Sequence, residues 1–475
     1  MKTLLMVLFA CFCAPVMADD RPDIVLLIAD DLGWGDVSCL DGAFPTPAID
    51  QLAREGAVLN QFYSGAATCT PSRFTLFTGR YPWRSTGGLD RVLMFFNEGD
   101  RKKGLRANEI TVAERLSAVG YDTMLAGKWH LGHGEDACSP THHGFDRFHG
   151  CRGGCIDYFT HAYGHIFDWW VDDEATVEDG EATDLIARAA VEFIEAHDRT
   201  SGDSDPMFLV VCFTSPHYGK SVLEDVEDDS RTLVTRSAGK KRVDGEGRSV
   251  QPVNSLQATA ADLEAVGVAA EADPELAGRV VAGTEQMPIE LRRGYYNAML
   301  KALDDGVADV LAALARSGRE DAVVLFTADN GPDETVSNAG DSGRFKGAKA
   351  TLHEGGIRVP TILRWPKVVS PGSQRAQVGG FVDILPTLCG IAGAEVPPET
   401  KLDGMDLGES WREGTVSSRV IRFRQGGKEA IRDGDWKLVQ GRLYNLADDP
   451  AEAHDVAEQH ADVVARMKAL SQADQ

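Results

Sequence analysis

The sequence predicts an α/β fold, a large mainly parallel sheet sandwiched by helices, and three observations carry that prediction. Four short apolar runs, at residues 24–28, 123–126, 208–213 and 323–326, each end in polar or charged residues. Runs of this length without alternation read as strands buried on both faces. Helical patterns separate them, and alternating strand and helix implies parallel strands joined by crossovers. A hydrophobic content of 43% over 475 residues supplies the core of one large domain with a small appendage, or of two ordinary domains.

The elements follow in order. Lys2, an apolar run over residues 4–12 and Val16-Met17-Ala18 read as a secretion signal, residues 1–18, too short to span a bilayer. The mature chain then begins near Asp19 and is periplasmic or secreted, with no membrane attachment after cleavage. Thr46-Pro47 opens a helix that closes at Gly56, with Ile49, Leu52 and Ala53 on one face. Thr111-Val112-Ala113-Glu114 is a capping box, followed by a stripe of Val112, Leu116 and Val119. Another amphipathic helix covers residues 183–197. Leu300, Leu303, Val307, Val310 and Leu314 stripe a longer one ending at Gly318.

Residues 220–286, rich in charge, Ala, Gly and Ser, form an insertion with a short helix around 258–266. Such a segment is either a lid over the substrate or a surface excursion. Residues 381–388 resume the core, and 390–398 and 402–407 read as loop. From about residue 418 the pattern changes to short alternating strands at 420–424, 429–432, 436–439 and 443–446, then a helix over 457–470. This is a small antiparallel sheet with one helix. The expected division is thus residues 19–415 for the α/β domain and 416–475 for a C-terminal α+β subdomain.

Charge and cysteines set limits. A net charge of −25 argues against nucleic acid and anionic membranes as partners. An anionic substrate would need a locally basic pocket in an acidic shell; otherwise the acidity only aids solubility. Of nine cysteines, Cys11 and Cys13 leave with the signal. Setting Cys69 aside, Cys39, Cys138, Cys151, Cys155, Cys212 and Cys389 remain, an even number that permits disulfides in an exported protein. Cys138, Cys151 and Cys155 lie close enough for one local bridge, and nothing completes a zinc site around the latter two.

Chemistry concentrates where the apolar runs end, the edge at which open α/β sheets bind ligands. Asp30, Asp31, Asp329 and Asn330 offer four oxygen donors at two strand ends, which suits calcium or magnesium rather than zinc. One such Asp would merely cap a turn, but adjacent carboxylates repel unless a cation joins them. Lys128 and His130 lie two residues apart in Gly127-Lys128-Trp129-His130-Leu131-Gly132, and Pro216-His217 adds a second histidine. In Cys69-Thr70-Pro71-Ser72-Arg73, Pro71 suits the first turn of a helix and Gly79 its end. Cys69 then sits at a helix N-terminus that favours an anion, with Arg73 one turn on along the same face. Locally, this cysteine reads equally well as a packed thiol or half of a disulfide.

The pentapeptide, followed by Thr78-Gly79-Arg80, resembles the signature of the type I sulfatases of the alkaline phosphatase superfamily. Residues 28–36 and 327–331 resemble that family's metal motifs. The hexapeptide at 127–132 followed by Gly144-Phe145-Asp146, and Lys346 to Thr351 with Glu354-Gly355-Gly356, resemble further motifs of the family. The resemblance runs from about residue 23 to 445 and implies an alkaline-phosphatase-like fold. It implies that a formylglycine-generating enzyme oxidises Cys69 to formylglycine, whose hydrate attacks sulfur. It implies a calcium ion, with magnesium as the alternative, held by Asp30, Asp31, residue 69, Asp329 and Asn330. Lys128 and Lys349 would hold the sulfate oxygens, and His217 with Lys349 would protonate the departing alkoxide. His130 would then take the proton of the second hydroxyl, and Arg73 would stabilise the hydrate and the metal shell. Ala348 and Ala350 replace the family's usual glycines, and Lys346 is expected at the surface. Residues 154–161 resemble N-acetylgalactosamine sulfatases, which implies a sulfated carbohydrate as substrate. Trp169 and Trp170 either stack on its sugar faces or belong to the core. The alternatives are a phosphate or phosphonate ester hydrolase of the same superfamily, a non-catalytic glycan-binding relative, and a hydrolase with a cysteine nucleophile.

Overall fold

The computed structural model describes residues 21–94, 97, 99–164, 166–198, 200, 205–221, 253–268, 279–284 and 287–472. The expected signal and much of the expected insertion lie outside them. Strands β1 (Ile24–Ala29), β2 (Ala57–Leu59), β3 (Asp122–Gly127), β4 (Arg147–Gly150), β5 (Trp170–Val171), β6 (Glu174–Ala175) and β7 (Met207–Cys212) belong to one ten-stranded sheet. Strands β8 (Gly219–Ser221), β9 (Val253–Thr259) and β10 (Arg279–Gly283) form a separate antiparallel sheet. Strands β11 (Val323–Ala328), β12 (Thr361–Arg364) and β13 (Ser373–Arg375) complete the large sheet, in the order β13-β2-β12-β11-β1-β7-β3-β4-β5-β6.

The four apolar runs are the adjacent strands β11, β1, β7 and β3, and together with β4 they are parallel. This bears out the predicted fold class. The flanks depart from it: β12 runs antiparallel to β11 and β2, and β5 to β4 and β6. Alternate residues of β1 serve two cores. Ile24, Leu26 and Ile28 join one hydrophobic cluster, while Val25, Leu27 and Ala29 join the other.

Helices α1 (Pro47–Glu55), α2 (Cys69–Thr78), α3 (Val112–Ser117), α4 (Ala182–Ala196), α5 (Ala260–Ala265), α6 (Ile289–Arg316), α7 (Glu354–Ile357), α8 (Ile384–Ala392), α9 (Gly408–Glu413) and α10 (Ala461–Gln472) surround the sheets. Ile49 of α1, Ile186 of α4 and Leu303 of α6 pack on one face of the large sheet. Phe74 of α2, Leu116 of α3 and Leu388 of α8 pack on the other. The Thr111 capping box forms, but α3 stops before Val119, because Gly120 at φ +86° turns the chain into β3. Residues 390–392 are the last turn of α8 rather than loop, and Ala258 lies in β9, ahead of α5.

Strands β14 (Val420–Gln425), β15 (Lys428–Asp433), β16 (Trp436–Val439) and β17 (Arg442–Asn445) form the expected small antiparallel sheet. Met467 of α10 covers one face with Ile431, Leu438 and Leu443. The other face packs Phe423 and Tyr444 against Tyr63, Ala67, Leu352 and Ile357 of the large domain. Among the described residues no helix is long and apolar enough to cross a membrane.

Register positions the site. Ala29 lies opposite Ala328, Ile28 opposite Cys212, and Cys212 opposite Gly127. Four carboxyl ends are therefore level, and the residues that follow each of them meet in one place.

Candidate active site

Helix α2 is a rigid base for the site, since all ten of its residues are buried. Thr68 precedes it in extended conformation, and Gly79 ends it at φ +64°, donating its N–H to Thr75 O at 2.9 Å. Cys69 thus sits in the first turn, its Sγ 3.8 Å from Asp30 Oδ1. Burial pushes its thiol up to about 12, against the opposing pull of Lys128 and Lys349. One turn on, Arg73 donates from Nε to Asp329 Oδ2 at 2.9 Å and from Nη1 to Lys128 O at 2.6 Å.

Each carboxylate of the site has its own cation. Lys128 Nζ lies 2.5 Å from Asp30 Oδ2, and Lys349 Nζ lies 2.6 and 2.7 Å from the two oxygens of Asp31. Arg73 takes Asp329. The protein part of the site is therefore formally neutral, with every one of these groups buried except the half-buried Lys349. A divalent ion would leave an excess of positive charge for an anionic ester. Ligand atoms of Asp30, Asp31, Cys69 and His217 all lie within 4.8 Å of one another. Asn330 donates from Nδ2 to Asp31 Oδ1 at 2.7 Å, while its buried Oδ1 has no partner among the described residues. Burial, with the neighbouring Asp30 charge, raises the pKa of Asp31 and Asp329 above the usual carboxylate range. An orphaned acceptor beside crowded carboxylates fits a hard cation.

The remaining predicted residues join the same place. His130 stands at φ +60°, a conformation unusual for a residue with a side chain, as is Asp31 at φ +62°. The His130 Nε2 donates to Leu93 O at 3.0 Å, and its buried Nδ1 has no partner among the described residues. Burial and the Lys128 charge lower its pKa well below the ordinary histidine value. His217 donates from Nδ1 to Tyr218 O at 2.6 Å, which leaves Nε2 facing Asp31 Oδ2 at 3.5 Å. The Tyr158 hydroxyl reaches the carbonyls of Thr214 and His217 at 2.8 and 2.6 Å, which supports that turn. Lys349 is delivered by a loop in which Ala350 takes φ +64°, as a glycine would. A hydrogen bond from Ala350 N to Ala67 O at 2.7 Å ties that strained peptide to the segment leading into α2. Lys346 is exposed.

The structure thus brings together Asp30, Asp31, Cys69, Arg73, Lys128, His130, His217, Asp329, Asn330 and Lys349. Sequence reasoning missed Gly154, where a Cβ would lie 2.2–2.7 Å from atoms of the His130 ring. The pair Gly153-Gly154 was the available signal for such a close approach. The possible local disulfide does not form: all seven described cysteines are free. Cys138 packs on Gly104 and Gly132, Cys151 Sγ points to Gly153 O and Cys155 Sγ to Tyr218 O. Of the two tryptophans, Trp169 is core, stacked on His161 at 4.6 Å. Trp170 is covered by the Arg152 guanidinium at 3.8 Å.

The sulfatase family model matches residues 22–394. Human arylsulfatase A is 33% identical over 451 residues, which span 90% of this chain and 78% of the relative. Mouse steryl-sulfatase is 33% identical over 438 residues, 85% of this chain and 67% of the relative. Among solved structures, Ps i-CgsB in complex with k-i-k-neocarrahexaose matches with a TM-score of 0.75 at 25% identity, over 94% of this chain and 91% of that one.

Proposed function

Since the chain belongs to the sulfatase family and is a sulfuric ester hydrolase of the type I, alkaline phosphatase-like kind, we propose that it desulfates a carbohydrate, using formylglycine made from Cys69 beside a calcium ion. The observation that carries this reading is the convergence of Cys69 on three carboxylates, each already matched by a buried or half-buried cation. Only an added divalent ion turns that neutral cluster into a receptor for an anionic ester. Asp30, Asp31, Asp329, Asn330 and an oxygen of residue 69 would hold the ion. Bound there, it supplies Lewis acidity toward the sulfate oxygens. Calcium and magnesium are both compatible with an all-oxygen donor set.

Conversion of residue 69 supplies a hydroxyl nucleophile in place of a thiol that stays protonated at neutral pH. Lys128 and Lys349 hold the sulfate oxygens, and Arg73 keeps Asp329 and the Lys128 peptide in place. Burial and the Lys349 charge hold His217 neutral. The proton for the leaving oxygen is therefore supplied by the Lys349 ammonium, which shares Asp31 with His217 Nε2, so that His217 lines the leaving-group side beside the donor. His130, neutral and with Nδ1 bare, takes the proton from the second hydroxyl of residue 69. A formylglycine-generating enzyme is the partner required during maturation.

A sugar substrate is supported by the oligosaccharide bound to the structural neighbour, while the steryl-sulfatase relative marks the competing substrate class. The test is a panel of defined sulfated saccharides beside aryl and steryl sulfates, with phosphate esters matched to each. A sulfated saccharide is expected to lead, and each sulfate to exceed its phosphate partner by more than about tenfold in kcat/KM, a differential of ~1.4 kcal/mol in transition-state binding. Faster turnover of the phosphates would establish the phosphate ester hydrolase instead.

Ion binding has a readout independent of turnover. Calcium at about a hundred times its Kd should stabilise the fold by about 2.7 kcal/mol over the chelated protein, raising Tm. A Tm indifferent to chelator and to both ions would remove the metal from the reading.

A further inference from the structure

Thr70 directly follows Cys69 in α2 and has no part in the mechanism above. Its side chain is fully buried, and Oγ1 accepts the Leu93 N–H at 3.1 Å. Leu93 lies in an irregular stretch, residues 91–94, where no helix or strand ladder holds the peptides. The carbonyl of this same residue receives His130 Nε2–H at 3.0 Å. A carbonyl oxygen only accepts, so this bond places the imidazole proton on Nε2 and leaves Nδ1 bare. Gly154 closes the ring from another direction, since even a Cβ there would collide with it. A flip of the ring would carry Nε2 away from Leu93 O.

We propose that Thr70 is a positioning residue: it anchors Leu93 by its N–H and, through the carbonyl on the other side of the same residue, helps fix His130 in the Nε2–H tautomer, with Nδ1 free to accept a proton from residue 69. The inference rests on the reading of His130 as the base. The peptide unit that carries the Leu93 carbonyl is also held at its other end, Met94 N–H donating to Asp100 Oδ2 at 3.1 Å, so loss of the Thr70 bond loosens that carbonyl on its Leu93 Cα side and not the whole stretch.

The test compares Thr70→Val, which keeps the shape but loses the acceptor, with Thr70→Ser, which keeps the acceptor. Turnover is divided by the aldehyde content of residue 69, measured by mass, so that incomplete conversion does not enter. His130 acts after the leaving group has gone. Its misplacement therefore slows the second half-reaction while leaving the first intact. T70V is expected to lower kcat by about tenfold, the scale of one lost net hydrogen bond. KM should fall with it, and kcat/KM should stay within about twofold. T70S should match the parent, and Thr70→Ala should repeat the T70V signature should valine overpack the site.

The proposal is overturned if T70V and T70A leave kcat unchanged, if they lower kcat/KM as much as kcat, or if T70S is as slow as they are. His130→Ala separates the two levels of the inference. A normal kcat in H130A removes the base assignment itself. A slow H130A beside a normal T70V keeps the base and removes the positioning role.

Discussion

Replacing Cys69 by alanine is expected to lower turnover by on the order of 10⁴- to 10⁶-fold, the scale seen when a nucleophile is removed. The fold should persist, because the side chain is small and α2 is held by Phe74, Leu76 and Phe77 in the core. The unconverted wild-type protein should be nearly as inactive. Burial holds the thiol near 12, so it carries almost no thiolate at neutral pH, despite Lys128 and Lys349 nearby. Specific activity should therefore follow the converted fraction of residue 69, read from the mass of its peptide, on a line through the origin. Full-rate sulfate release by a sample whose residue 69 is entirely thiol would overturn the formylglycine reading, and would favour a cysteine nucleophile.

The central strands were legible in the sequence because they are buried on both faces, so apolar runs at residues 24–28 and 323–326 needed no alternation to be recognised. The caps of α1 were legible for a different reason: Thr46-Pro47 and Gly56 are local backbone chemistry. The antiparallel flanks were not. β2 has three residues and β5 two, too few for a pattern, and their direction is set by pairing with distant segments. The same divide runs through the site. Asp30, Asp31, Lys128 and Cys69 carry their chemistry in side chains within short motifs. The Leu93 carbonyl carries its own in the backbone, where any residue type would look alike. The end of α3 turned on Gly120, whose left-handed φ overrode the helical stripe that Val119 suggested. Trp169 offered both core and sugar-stacking roles, and only its burial against His161 decided for the core.

Lys437→Met is expected to destabilise the protein by about 3–5 kcal/mol, the cost of leaving buried charge without its partner. Lys437 lies in β16 of the small sheet, fully buried, with Nζ 2.8 Å from Glu354 Oε1 and 3.1 Å from Glu452 Oε1. Glu354 opens α7, five residues beyond Lys349, and accepts the Tyr63 hydroxyl at 2.7 Å. Glu452 Oε2 in turn accepts the Glu354 N–H at 2.7 Å. This cluster fastens the small sheet to the loop that delivers Lys349, so the variant should also lose kcat/KM. Acid gives the sharper test. Burial alone would raise the pKa of Glu354, but Lys437, Arg358 and Arg432 outweigh it and hold the carboxyl at about 2. A depressed carboxyl contributes stability above its unfolded pKa of about 4.3 and loses it as pH falls toward the folded value, here about 3 kcal/mol. Wild type should surrender that stabilisation on acidification, whereas K437M, in which Arg358 and Arg432 but not Lys437 face Glu354, has less of it to lose. The gap between the two unfolding free energies should therefore narrow from pH 7 to pH 3 in urea titrations. A gap below about 1 kcal/mol at pH 7, the scale of an exposed pair, would show that the ion pair does not fasten the loop, and so would one that stays constant with pH.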